Sequence, residues 1–206
     1  MISNRRAIEH HQGGHMSSKI HIIGFTGSLR KQSLNQAALR EAQGLLPEDA
    51  ELEIIPLDNI PLFNQDYEYN EPEPVRILKD KIRKTDALFI VTPEFNYSIP
   101  GVLKNAIDWI SWPFAMCPMT GKPAAIMGVG GRIGTARAQL HLRQILAYLD
   151  VPALTKPEIF IINGWEKFDS EGHLVDEQSR QLMRTLLEKL VKAAKEAREK
   201  AAVSSL

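Results

Sequence analysis

Residues 24–35 form a short polar stretch whose side chains are of the types that bind anions. An apolar run, residues 20–23, precedes it, and apolar residues at helical spacing follow over residues 34–46. A loop between a buried strand and a helix leaves main-chain N–H groups free at the helix N-terminus, where a phosphate is the usual anion. Further donors are available from Ser28, Arg30, Ser33 and Asn35. The stretch therefore predicts a phosphate site, with a plain strand–helix turn capped by Ser33 as the alternative.

Two later polar stretches also follow apolar runs that are typical of buried strands. One comes after residues 86–91 and contains Pro93, Glu94, Phe95, Asn96 and Tyr97. The other comes at the end of residues 123–129 and contains Val129, Gly130, Gly131 and Arg132. Loops after parallel strands meet at one edge of a sheet, and ligands bind there where the strand order reverses. A phosphate cradle, an aromatic shelf and a glycine-lined wall together favour a mononucleotide with a flat ring.

Strand and helix patterns alternate five times along the chain. Strands are predicted at residues 20–23, 51–55, 86–91, 123–129 and 158–162. Helices are predicted at residues 34–46, 75–84, 102–110, 135–149 and from Asp176 onward, with the charged tail 192–200 as a solvated end. This alternation predicts an α/β fold in which helices cover both faces of a five-stranded parallel sheet. Neither a repeat nor a linker interrupts it, so residues 16–206 are predicted to form a single domain.

Composition excludes several classes of protein. The 206 residues are 44% hydrophobic and 24% charged, as in an ordinary globular domain. The 25 basic and 25 acidic residues cancel, so the chain has no net field that would attract nucleic acid or an anionic membrane. Apolar runs are too short for a membrane-spanning helix. The single cysteine, Cys117, excludes an internal disulfide, indicates a cytoplasmic protein and is expected to be a half-buried loop thiol.

Residues 1–15 are interpreted as a flexible leader. They lack the apolar core of a secretory signal, and Met16 could be the natural start. His10, His11 and His15 could form a metal site, but a leader of this composition is the better interpretation and no metal is predicted. Further along, the proline-rich stretch 56–74 is predicted to be a long functional loop. Together with Trp109, Trp112 and Phe114 it offers apolar surface that a partner subunit could cover.

Four motifs carry a resemblance to a known family. They are Gly27-Ser28-Leu29-Arg30 with Ser33 and Asn35, then Pro93-Glu94-Phe95-Asn96, then residues 100–109, and the leucine-rich helix 137–149. In these the chain resembles the NADPH-dependent FMN reductase family, which includes bacterial quinone and chromate reductases. The resemblance extends from Lys19 to Leu190 and departs from the family's pattern at Thr135, where a glycine is expected.

The resemblance implies a flavodoxin-like, three-layer fold and a function. FMN would be held with its phosphate on Ser28, Arg30, Ser33, Leu34 and Asn35. Its ring would be bordered by Pro93, Glu94, Phe95, Asn96 and Tyr97, with Val129, Gly130, Gly131 and Arg132 on the other side. NADPH or NADH would deliver a hydride to FMN, and a flavin, quinone, azo compound or metal oxyanion would then be reduced in a ping-pong cycle. No protein side chain would be a catalytic residue, and the protein would be a homodimer or homotetramer with FMN near the interface.

Several of these residues also have a structural interpretation. Phe95 and Tyr97 could be packing aromatics, and Glu94 could be a carboxylate held by the N–H groups of an approaching helix. Glu94 has no histidine partner nearby in the sequence, which excludes a general base. Asp108 and Trp109 are interpreted as packing or subunit contacts rather than ligands. Arg132 or Arg137 could meet the 2′-phosphate of NADPH.

Two other functions were weighed. A flavodoxin-type electron carrier would share the fold, but such carriers are typically very acidic, and this chain is neutral. A Rossmann dehydrogenase could use Gly128, Gly130 and Gly134. That glycine pattern follows the fourth strand rather than the first, and no acidic residue stands at the spacing expected for a ribose contact.

Overall fold

A computed structural model describes residues 19–204 of the chain. It contains one sheet of five parallel strands: β1 (Ile20–Thr26), β2 (Ala50–Ile54), β3 (Ala87–Val91), β4 (Ala124–Val129) and β5 (Ile159–Ile161). The strand order is β2-β1-β3-β4-β5. The order reverses between β1 and β3, so the loops after these strands leave the sheet in opposite directions and open a crevice. The predicted leader over residues 1–15 and Met16 lie outside the described residues.

Five helices cover the sheet: α1 (Leu34–Gln43), α2 (Glu73–Lys84), α3 (Gly101–Ser111), α4 (Ala136–Tyr148) and α5 (Glu177–Ser204). Short 3-10 turns occur at Gln65–Tyr67, Phe114–Met116 and Gly164–Glu166. Because successive strand residues face opposite sides, β1 places Ile22 under α1 and α5, and Ile23 under α2, α3 and α4. Two separate hydrophobic cores result, one on each face, and the predicted flavodoxin-like, three-layer fold is confirmed.

The predicted elements are all present, with ends that shift by one to three residues. The second helix begins earlier than predicted, at Glu73, because Pro74 stands in its first turn, where a missing N–H costs nothing. β5 is shorter than predicted. None of the helices in residues 19–204 is long and apolar enough to cross a membrane.

The charged tail of the last helix is mostly exposed, as the sequence predicts, but it is also attached to the rest of the domain. α5 continues to Ser204, and Ala194 is buried in the core. Lys195 pairs with Asp49, and the Arg198 guanidinium Nε donates to the Asp86 carboxylate at 3.0 Å. The alternating charges are therefore the polar face of an amphipathic helix whose basic residues contact the N-terminal edge of the sheet.

Trp109 supports the long loop from inside the chain and does not supply surface to a partner. Its side chain is 1% exposed, and its indole N–H donates to the main-chain oxygen of Pro61 at 2.8 Å. Asn105, one turn earlier on α3, accepts the main-chain N–H of Phe63 at 2.8 Å. The Phe63 ring meets Trp109 edge-on, with centroids 5.1 Å apart. Trp109 is therefore buried by contacts within the chain, whereas Phe114 stays exposed and lies against Tyr148.

Candidate functional site

The first loop, residues 27–33, joins β1 to α1 and is shaped to receive an anion. Ser28 is buried at its start, whereas Arg30 is exposed at its tip. Ser33 does cap α1: its hydroxyl oxygen accepts the main-chain N–H of Gln36 at 3.3 Å. The N–H groups of Leu34 and Asn35, in the first turn, have no acceptor within the helix and remain available to an anion. Capping and anion binding are thus compatible in this loop.

The Asn35 side chain has a different role from the one expected of it. Its Nδ2 donates to the main-chain oxygen of Val129, and its Oδ1 accepts the Val129 N–H, each at 2.9 Å. The side chain is buried, and it fastens the start of α1 to the end of β4. The expected amide donor is therefore used within the protein. What Asn35 offers to the first loop is its main-chain N–H.

Asn35→Asp is expected to lower the free energy of unfolding by about 3 kcal/mol, because an ionised carboxylate cannot donate to the Val129 oxygen and is buried against it. Urea unfolding at neutral pH measures the change. The matched control is Asn70→Asp on the exposed loop, for which a change within about 0.5 kcal/mol is expected. Equal urea midpoints for N35D and wild type would contradict the assigned bonds.

The second loop, residues 92–100, is a tight hairpin set against the first loop. Phe95 and Ser98 exchange main-chain hydrogen bonds of 3.0 Å in both directions. The two residues between them, Asn96 and Tyr97, have φ angles of 49° and 68°, as a type I′ turn requires. Phe95 and Tyr97 are 55% and 66% exposed, so neither is a core residue of this chain.

Glycine makes the contact between the first two loops possible. A Cβ atom on Gly27 would lie 2.8 Å from Cγ of Pro100, which is closer than side chains approach one another. The first loop therefore rests directly on the end of the second, and Pro93 is buried between strand and hairpin.

Glu94 fastens the second loop to the start of α4. Its Oε2 accepts the main-chain N–H groups of Arg137 and Ala138 at 3.0 and 3.2 Å, and its Oε1 accepts the Arg137 Nε at 2.6 Å. The carboxylate thus caps a helix N-terminus, and this interpretation of Glu94 is confirmed. The Arg137 guanidinium also lies 3.6 Å from the centroid of the Tyr97 ring. Arg137 is therefore engaged with the hairpin, whereas Arg132 is exposed on the next loop.

The third loop, residues 130–135, is a turn that only glycine permits at two positions. A Cβ on Gly130 would lie 2.1 Å from the main-chain oxygen of Gly134, and Gly134 itself has a φ of 61°. Thr135, the departure from the family's pattern, is fully buried. Its Oγ1 accepts Gln139 Nε2 at 3.0 Å.

A further segment, residues 163–165, lies at the same rim and was not anticipated. Asn163 and Gly164 donate to the oxygens of Gly131 and Gly130, each at 3.0 Å. A Cβ on Gly164 would meet Val129 Cγ1 at 2.4 Å and Leu34 Cδ1 at 3.0 Å. This rim segment therefore lies against the first residue of α1 and against the third loop. The Asn-Gly pair directly after the fifth apolar run was the signal that could have revealed it.

Comparison of the chain with models of known protein families identifies the family to which it belongs. The model of NADPH-dependent FMN reductases matches residues 20–166, which include all three loops and the rim segment. The chain belongs to the NADPH-dependent FMN reductase family. The resemblance predicted from the sequence is confirmed. The chain is therefore an oxidoreductase that uses FMN and NAD(P)H.

Relatives cover almost the whole described chain. An NAD(P)H-dependent FMN reductase of Pseudomonas aeruginosa is 49% identical over 177 residues, which are 85% of this chain and 95% of the relative. A 2-hydroxy-1,4-benzoquinone reductase of a Burkholderia species is 41% identical over 175 residues, which are 84% of this chain and 94% of the relative. Among solved structures, the flavoenzyme FerB of Paracoccus denitrificans, an NAD(P)H:(acceptor) oxidoreductase, superimposes with a TM-score of 0.79 at 33% identity. The superposition covers 86% of this chain and 98% of FerB.

The residues at the rim fit the FMN that this family uses. The start of α1 offers two N–H groups beside the exposed Arg30, as a terminal phosphate requires. Gly27 and Gly130 let main chain pack closely at the rim, and the exposed aromatics of the hairpin could cover a flat ring. These donors and aromatic rings are of the types that suit a mononucleotide.

Proposed function

We propose that this protein is a reductase that takes electrons from NADPH or NADH and delivers them, through FMN bound at the rim of the sheet, to a small acceptor. The observation that carries the proposal is the joining of the three loops across the switch point. Asn35 fastens the first loop to the end of β4, and Glu94 fastens the second loop to α4. Residues 16–206 would form one FMN-binding domain around this rim.

The first loop would hold the phosphate. The N–H groups of Leu34 and Asn35, in the first turn of α1, would bind its oxygens, and the buried Ser28 and Ser33 would add hydroxyls from the same loop. Arg30, exposed at the tip, can swing onto the phosphate and neutralise it. The helix dipole adds to the same attraction.

The second and third loops would border the ring. Pro93, Glu94, Phe95, Asn96 and Tyr97 form one side, and Val129, Gly130, Gly131 and Arg132 form the other. Main-chain N–H groups of these two loops can stabilise negative charge that develops on the ring, without any acid–base side chain. When bound, FMN supplies the redox chemistry, accepting a hydride from the nicotinamide and passing electrons to the acceptor after the nicotinamide leaves. The loops position the ring and leave one face open for both substrates in turn.

Among the four classes of acceptor, we favour quinones and flavins over azo compounds and metal oxyanions, because of the names of the relatives. One relative is named for a hydroxybenzoquinone and another for FMN. Arg132 would be the arginine that meets a 2′-phosphate, because it is exposed, whereas Arg137 is engaged with Glu94 and Tyr97. That arrangement supports NADPH as one of the donors.

We also propose a homodimer or homotetramer in the cytoplasm. Support comes from a patch of exposed apolar side chains around α4 and the turn Phe114–Met116. Its members are Phe114, Met116, Leu140 and Tyr148, all more than 40% exposed (45%, 65%, 56% and 73%). A second copy of the chain would cover this surface.

The electron-carrier alternative is less well supported. A carrier docks to a second protein through complementary charge, and the 25 basic and 25 acidic residues of this chain cancel. The Rossmann alternative is not supported either, because the glycines of the third loop shape a tight turn after β4 and not a crevice after β1.

The deciding experiment is anaerobic rapid mixing of FMN-loaded protein with NADPH, and separately with NADH. We expect the flavin absorption to bleach on the timescale of turnover, and to return when 1,4-naphthoquinone is added. Steady NADPH consumption with the quinone and no second protein then separates a reductase from a carrier. Flavin that stays oxidised with both nucleotides, or that turns over only with a partner protein, would contradict the proposal.

A further inference from the structure

Trp165 stands apart from the other tryptophans of the chain. Trp109 is buried and Trp112 is half-buried, whereas Trp165 is 63% exposed. A single exposed aromatic residue needs no explanation by itself. Its position distinguishes Trp165: ring atoms Cζ3 and Cη2 lie 3.8 and 3.9 Å from where a Cβ on Gly131 would stand. The indole therefore lies beside the third loop, at the rim where the flavin ring is proposed to bind.

The main chain under this indole is firmly held. Gly164, next to it, is pressed onto Val129 and Leu34 so closely that no side chain would fit. Asn163 donates to Gly131 and adopts a left-handed conformation with a φ of 47°. Such conformations in a residue other than glycine are maintained where the surroundings enforce them, often at binding sites.

The segment is fastened from its other end as well. Lys167 Nζ donates to the Asp176 carboxylate at 2.7 Å, and the Lys167 oxygen accepts the Val175 N–H at 2.9 Å. The hydrogen bonds of Asp176 with Lys167 and Ser179 hold the pKa of this carboxyl at about 2, so the ion pair persists at neutral pH. A rigid main chain carrying an exposed indole is a preorganised surface for stacking, because little conformational freedom is lost when a ligand binds.

We propose that Trp165 is the aromatic wall of the acceptor pocket, where its indole stacks on planar acceptors of the quinone class. The inference rests on the proposed function and assigns a specificity-determining residue to it. A flat π-system gains contact area and stacking from the indole, whereas a compact hydrated anion such as ferricyanide gains neither. Trp165 therefore selects among acceptors, while FMN itself is held by the three loops.

The first test measures binding without turnover. Oxidised, FMN-loaded protein is titrated with 1,4-naphthoquinone in the absence of nicotinamide, and the perturbation of the flavin absorption spectrum gives the Kd. Trp165→Ala is expected to raise the Kd about tenfold, in the range of aromatic stacking. Trp165→Phe keeps a flat ring and is expected to stay within about threefold of wild type. Tyr69→Ala, which removes a 96% exposed aromatic ring from the long loop, is the matched control and should change nothing.

The second test measures acceptor selection in turnover. In W165A the KM for 1,4-naphthoquinone should rise about tenfold, while kcat/KM for ferricyanide, which gains nothing from stacking, stays at the wild-type value. An unchanged quinone Kd and KM in W165A would overturn the inference and leave the proposed reductase intact. Loss of FMN from W165A would also overturn it, since the indole would then serve the flavin. A wild type that reduces neither acceptor would end the proposed function, and the titration, which needs no turnover, would still decide the role of Trp165.

Discussion

Gly130→Ala is expected to abolish stable FMN binding, whereas the same change at Gly44, at the C-terminal end of α1, should leave binding almost unchanged. The added methyl group at Gly130 would lie 2.1 Å from the Gly134 oxygen and 2.7 Å from its carbonyl carbon. Both are main-chain atoms of the same turn, so no side-chain rotation can relieve the clash, and the third loop must open. At Gly44 the nearest atom to the methyl group would be the main-chain oxygen of Glu41 at 3.7 Å, an ordinary contact.

We expect the Kd for FMN to rise at least about 100-fold in G130A, equivalent to about 2.7 kcal/mol, because the opened loop no longer borders the ring. The free energy of unfolding should fall by about 3 kcal/mol, the usual cost of overpacking. Fluorescence titration of the apoprotein with FMN measures the first quantity, and urea unfolding the second. FMN binding by G130A within threefold of wild type would show that the third loop lies outside the ring site.

Glu94→Ala is expected to be the second most damaging change, because one carboxylate joins the second loop, the start of α4 and a guanidinium. Its removal leaves the Arg137 and Ala138 N–H groups uncapped and Arg137 without its partner. Charged hydrogen bonds of this kind contribute about 1.5 to 3 kcal/mol each. We expect the free energy of unfolding to fall by about 3 kcal/mol, and FMN binding to weaken because the hairpin, no longer fastened to α4, loses its order.

Two variants calibrate this expectation. Glu94→Gln keeps an acceptor oxygen for the helix N–H groups but loses the charge, so a loss of about 1 kcal/mol is expected. Asp108→Ala breaks an ion pair with Lys104 one turn apart on the surface of α3, and should cost no more than about 0.5 kcal/mol. Urea unfolding of all three variants should show the largest loss of stability in E94A, a smaller loss in E94Q and the smallest in D108A. Should E94A prove as mild as D108A, the carboxylate would be a surface feature and not the fastening of the second loop.

The three loops of the rim are fastened by hydrogen bonds that span long stretches of the chain. Asn35 bonds to Val129 and Glu94 to Arg137 across the rim, so each of the three loops depends on an element far away in the chain. A substitution in one loop is therefore expected to disturb the structure of the others. Double variants of Asn35 and Glu94 should lose less free energy of unfolding than the sum of the two single losses.

Local patterns in the sequence determined the layers and the edge where the site lies. Apolar runs of four to seven residues and apolar residues at helical spacing identify strands and helices because they reflect burial of one face or of both. The loop with Ser28 and Ser33 could be recognised for the same reason: a strand followed by hydroxyls, glycine and a helix start is a local arrangement. That loop alone indicated an anion, the three loops together favoured a mononucleotide, and the family followed from motifs that are continuous in the chain.

The tertiary structure decided what the side chains in those loops do. Asn35 was expected to face a phosphate and instead bonds to Val129, 94 residues further on. Trp109 was expected to offer surface, but the long loop covers it. Trp165 comes to the rim only because the segment after β5 pairs with Gly130 and Gly131. The physical reason is the same in each case: strand order and register bring distant residues within bonding distance, and no pattern confined to neighbouring residues contains that information.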